Sequence, residues 1–136
     1  MTAQEEIISH FLESYEPALQ EKTKAILRPH LQVLGLPKKH LLTQEGQRSP
    51  FMYLILQGAA RSYYNHHGTE VNTWFAFEEE VAGSLRNFNG APSRETIELL
   101  EDSQLIAFHI PGLKAAMEEH VEVAQFVYRA LLEYTL

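Results

Sequence analysis

The chain has 136 residues, enough for one sizeable hydrophobic core and too few for two. Its 18 acidic residues against 11 basic ones give a net charge of −7, so the domain as a whole lacks the positive field that holds a nucleic-acid backbone, and these residues are not expected to bind DNA themselves. There is no cysteine, which excludes disulfides and thiolate metal sites. No apolar run approaches the roughly 20 residues of a membrane span, and MTAQEEIISH has no apolar signal core, so no membrane role and a cytoplasmic location are expected.

Ile7, Ile8, Phe11, Leu12 and Tyr15 keep the i, i+3, i+4 rhythm of an amphipathic helix, interrupted by Pro17. ALQEKTKAILRPH continues as a second helix into Pro29, giving a helical cap over residues 1–30. The period then shortens. LQVLG, HLLT, FMYLILQ, AARSYY, EVNTWFAF, RETIELL and SQLIAFHI are runs rich in β-branched, aromatic and large aliphatic residues, separated by turn-forming stretches. Such strands predict a mainly β, antiparallel sandwich or barrel over residues 31–110. PGLKAAMEEH, with proline in the first turn, and VEVAQFVYRALLEYTL return to helix over 111–136, and the whole is read as a single domain, 1–136.

In the last helix only Glu122, Gln125, Arg129 and Glu133 form a narrow polar stripe. A helix apolar around most of its circumference predicts two buried sides, one against its own chain and one against a second copy, with a helix buried wholly within its own chain as the alternative. Val123, Phe126, Val127, Leu131 and Tyr134 are the expected dimer residues. EYTL lacks a helix C-cap, which reads as a helix cut short.

YYNHHGTEVNTWFAF places His66 and His67 side by side, with Glu70 close behind. Neighbouring strand residues face opposite ways, so a hairpin turn at Asn65-His66-His67-Gly68 is favoured over a metal site, and no metal ligands are assigned. A cupin-like metal-dependent enzyme stays as the rival, requiring His66, His67 and Glu70 to converge. No nucleophile elbow or ordered Ser/His/acid set is present, and Glu78-Glu79-Glu80 reads as a solvated loop; no catalytic residues are assigned and the chain is read as a non-enzyme. Trp74, Phe75 and Phe77 read as an aromatic core cluster.

HLLTQEGQ, YLILQGAARSYY, HHGTEVNTWFAFE and VAGSLRNFNGAPSRETIELLEDSQL, followed by a long helix, resemble the cyclic-nucleotide-binding domain of the CRP/FNR superfamily of bacterial transcription regulators from about Leu19 onward. The resemblance implies a double-stranded β-helix (jelly roll) of about eight strands with a helical N-terminal cap and a long C-terminal dimerisation helix. It implies ligand sensing and a homodimer, with DNA contacted only through a helix-turn-helix domain absent from this chain, which is read as either a sensory fragment or a stand-alone binding domain. The cofactors it implies are cyclic AMP or cyclic GMP.

Gly83, Ser84, Leu85 and Arg86 resemble the start of the family's phosphate-binding cassette, with Gly83 allowing close backbone approach and Ser84 opening a short helix. Nucleotide-binding members carry Gly-Glu where this chain has Gly83-Ser84, and Arg followed by Ser or Thr where it has Ser93-Arg94. Exchanging neighbours on a strand turns the guanidinium to the other face, so Arg94 is expected to face solvent or a nearby glutamate. A degenerate pocket follows, holding an unknown small effector. A ligand-free dimerisation scaffold is the remaining alternative.

Overall fold

The structure is a computed structural model that describes residues 1–15 and 18–135, the side chains of Tyr134 and Thr135 excepted. Pro17, read above as a helix breaker, lies outside the described residues. The chain divides into two compact units, one of residues 1–33 and 108–136, the other of residues 34–107.

The helical unit begins with α1 (Ala3–Tyr15). Thr2 and Glu5 cap it reciprocally: the Glu5 N–H donates to Thr2 Oγ1 and the Thr2 N–H to Glu5 Oε2, each at 3.1 Å. Helix α2 (Glu21–Leu27) runs into a single 3-10 turn at Arg28–His30. At the other end of the chain, α4 (Ile110–Glu119) starts at an extended His109 whose Nδ1 accepts the Gly112 N–H, with Pro111 in the first turn. His120 is extended and separates α4 from α5 (Val121–Thr135). The first and last helices meet in this unit: Tyr15 stacks edge-on against Phe126 at 5.5 Å and donates its hydroxyl to Glu133.

The strands form two four-stranded sheets. They are β1 (Leu31–Leu36), β2 (Leu41–Thr43), β3 (Phe51–Gln57), β4 (Ala60–His66), β5 (Thr69–Ala76), β6 (Val81–Ala82), β7 (Thr96–Leu99) and β8 (Ser103–His109). One sheet has the order β1-β8-β3-β6 and the other β2-β7-β4-β5. That pair of orders is the jelly roll, and it meets the fold expectation. The boundary between the units falls within β1 and β8. The seven apolar runs all form strands. Two-residue β6, hidden between three glutamates and the cassette glycine, is the eighth.

Within the β unit the inward positions alternate as a pleated sheet requires. Ala60, Ala76, Ile97, Leu99, Ile55 and Leu105 meet in one core, with Trp74 packed against its edge. Phe75 and Phe77 do not join it. They are 50% and 52% exposed, which corrects the reading of a three-membered aromatic cluster: Phe75 sits one step out of phase with Trp74, and Phe77 lies beyond the strand end. β4 and β5 pair from Ala60↔Ala76 to His66↔Thr69, with one irregularity. Ser62 faces Trp74 but Tyr63 faces Asn72, so Thr73 is an extra residue, a β-bulge.

Candidate functional site

The cassette is assembled by backbone and amide contacts. Helix α3 (Leu85–Phe88) begins after an extended Ser84, as expected for the residue that opens it, although the Ser84 side chain makes no capping bond. Gly83 has φ +157°, and a Cβ there would stand 2.7 Å from Met52 Sδ, so the backbone approaches β3 as only glycine allows. Asn87, buried, holds the helix to its surroundings: Nδ2 donates to the carbonyls of Gln47 and Ala91, at 2.9 and 3.0 Å. Buried Ser93 clamps its own turn, donating to the Glu95 carbonyl at 2.6 Å while accepting the Glu95 N–H. Asn87 is an organiser that no local pattern singles out, since its partners, Thr43 among them, lie up to 44 positions away.

The two arginines take different paths. Arg86 Nε donates to the Pro92 carbonyl at 2.8 Å, so one of its five N–H groups is committed to shaping the loop. Arg94 is exposed, and among the described residues it forms no ion pair. Ser84 is only 3% exposed. Gly83, Ser84, Leu85 and Arg86 thus belong to one local structure with Ser93, while Arg94 points to solvent.

Glu95 is a charged group at the cassette end of the β unit. Its Oε2 accepts from the Ser62 hydroxyl and from Thr73 Oγ1 at 2.6 Å; its Oε1 accepts from Trp74 Nε1 at 3.3 Å. Thr73 and Trp74 are neighbours on one strand and would ordinarily face apart; the bulge at Thr73 lets both reach the same carboxylate. Ser62 is fully buried. On the same strand Arg61 is bound to Glu98 at 2.8 Å and Glu70 at 3.1 Å, with its guanidinium over the Tyr63 ring, and those hydrogen bonds, Glu98 first, raise its pKa above the ordinary value. Its charge is therefore already met by carboxylates.

The His66/His67 stretch forms the predicted hairpin. His67 and Gly68 both have positive φ, +51° and +86°, which is the geometry of a type I′ turn, and Asn65 Oδ1 accepts the Gly68 N–H at 2.8 Å. The exposed imidazoles lie edge to face, 4.4 Å apart, while Glu70 turns to Arg61. Among the described residues, no three His, Asp or Glu side chains gather as a metal would require.

The expected dimer residues separate. Val123, Phe126 and Val127 are buried in the chain itself, which corrects their placement on an outer face; Leu131 is half-buried and the Tyr134 side chain lies outside the described residues. The outward stripe is Val121, Ala124, Tyr128, Leu131 and Leu132, with Val121 74% and Tyr128 63% exposed. Val121, Ala124, Tyr128 and Leu131 repeat at the 3-4 spacing of a coiled-coil seam. The helix is apolar on nearly every side, so its sequence could not say which side turns inward.

Residues 33–120 match the family described as the cyclic nucleotide-binding domain, well over half of the chain. The chain belongs to this family. Its fold is shared with a cyclic nucleotide-binding domain from Methylobacillus flagellatus (TM-score 0.80, 14% identity, 96% of this chain and 76% of that one). It is shared also with the sensor domain of the transcriptional regulator DNR from Pseudomonas aeruginosa (TM-score 0.74, 16% identity, 94% and 88%). The catabolite activator protein of Thermus thermophilus matches with TM-score 0.69 and 18% identity over 88% of this chain, which spans only 56% of that protein. At these identities the likeness is one of fold, and it bears out the expected cyclic-nucleotide-binding fold. A comparison with curated proteins finds no match. Among the described residues no helix is long and apolar enough to cross a membrane.

Proposed function

We propose that the 136 residues act as a single ligand-sensing and self-associating domain of a cytoplasmic, non-enzymatic transcription regulator of the CRP/FNR type, with DNA contacted through a helix-turn-helix domain outside this chain. The family and the regulators among its structural neighbours support this reading. The observation that carries the finer part is the cassette: a buried Ser84 at its start, Arg86 tied to Pro92, Arg94 in solvent and a carboxylate, Glu95, at its end. A cyclic phosphate needs charge-assisted donors, and this arrangement offers it a negative neighbour instead. The effector is therefore not held by the usual cyclic-nucleotide contacts. Two copies associate along the outward stripe of α5, and the effector acts by favouring one packing of that helix over another.

Thermal unfolding with millimolar cyclic AMP or cyclic GMP tests the cassette. Binding to the folded state at a hundredfold excess over Kd adds about 2.7 kcal/mol. No such rise is expected, and a saturable one would overturn the degenerate site. A ligand-free scaffold is the second reading, favoured by the engagement of both Glu95 oxygens with the chain's own donors. A screen of effectors that stabilises the domain with any of them would end it.

A further inference from the structure

We infer that Ser62 Oγ, Thr73 Oγ1 and Trp74 Nε1 form an oxyanion subsite that the chain fills with its own Glu95 carboxylate. An indole N–H can only donate, so Trp74 commits the set to an acceptor and cannot serve a cation. The two hydroxyls converge on one oxygen and the indole on the other, so three donors from two strands meet one carboxylate. No Lys or Arg among the described residues pairs with Glu95, so the anion is held by neutral dipoles alone. Such dipoles carry no preference for a tethered carboxylate over a free one of the same shape.

Glu95 occupies the subsite because its tether keeps it there. Its backbone is locked in the Ser93 turn, so its carboxylate competes as an intramolecular group, at an effective concentration above any that a titrated small anion reaches. Small carboxylates therefore leave the native domain unaffected, and an effector bearing one enters only by displacing Glu95. Removing the Glu95 side chain beyond Cβ deletes the equivalent of one acetate ion. This inference concerns the β unit alone and stands whether or not the domain dimerises or regulates transcription.

The test is E95A titrated with sodium acetate against sodium chloride at equal ionic strength. Emission of Trp74, the single tryptophan of the chain, and the unfolding temperature are followed together. Acetate should change the emission saturably and raise the unfolding temperature of E95A, while wild type and E95Q respond to acetate only as they do to chloride. The double variant T73V/E95A, lacking one donor from an exposed position, should bind acetate about tenfold more weakly or worse. If E95A is unfolded in chloride, acetate-driven refolding by circular dichroism is the supporting result. Failure of acetate to fold or stabilise E95A, or an equal response in wild type or in T73V/E95A, would overturn the inference.

Discussion

The two units each settle one awkward charge, by opposite means. In the helical unit the Lys24 side chain is 3% exposed, and its ammonium is met by two exposed carboxylates, 2.6 Å from Glu13 and 3.2 Å from Glu21. In the β unit the Glu95 carboxylate meets no cation, only two hydroxyls and an indole. An opposite charge fixes its partner and serves nothing else. Neutral donors keep the capacity to serve another anion. The difference teaches where to look for ligand chemistry: in the β unit, where the charge is held without being cancelled.

The strongest way to sharpen this contrast is to show that the helical unit lives by packing. Phe126→Ala should cost about 3–5 kcal/mol in denaturant unfolding, because the ring is buried against Tyr15. A cost below about 1 kcal/mol would mean that α5 does not seat as described. In the β unit the corresponding weak point is backbone approach. Gly83→Ala should cost about 1–3 kcal/mol, since the added methyl meets Met52 at an unfavourable φ; an unchanged midpoint would remove the close approach from the account of the cassette.

The Lys24 pair has a pH signature of its own. The Glu13 hydrogen bond, opposed by desolvation and aided by Glu21, raises the Lys24 pKa above 10.5. A raised cationic group adds stability that is fully present below pH 10.5 and is lost as pH climbs through the higher folded value. Lys24→Met should flatten that alkaline loss in thermal unfolding, and an identical slope in the variant would break the ion-pair half of the comparison. The smallest effect on stability belongs to the outer face of α5. Tyr128→Ala with Leu132→Ala should move monomer stability by about 0.5 kcal/mol or less while weakening self-association in sedimentation. Undiminished association would place the interface elsewhere.

Local patterns carried most of the fold. Each strand run from LQVLG to SQLIAFHI announced itself by composition and flanking turns, and Pro111 marked the start of α4. Val81 and Ala82 did not, because two residues hold no period and their place is set by pairing with Leu54 and Tyr53. The close approach at Gly83, the helix start after Ser84 and the exposure of Arg94 were legible locally, while a ligand role for these residues is a proposal. The Glu95 cluster was not legible. Ser62, Thr73 and Glu95 lie far apart in sequence, and it takes a bulge, which leaves no compositional trace, to bring Thr73 round beside Trp74.

The helical unit is stitched from both ends of the chain, with the bond from Tyr15 to Glu133 joining residues 118 positions apart. Its α1 and α2 leave the ribosome long before the helices they need, whereas the strands of residues 34–107 are complete before α4 has been made. Contacts so distant in sequence carry the entropy of closing a long loop and form late. During synthesis the apolar face of α1 is therefore expected to wait uncovered until α5 arrives, and that interval, rather than the finished molecule, is when the chain most needs a chaperone.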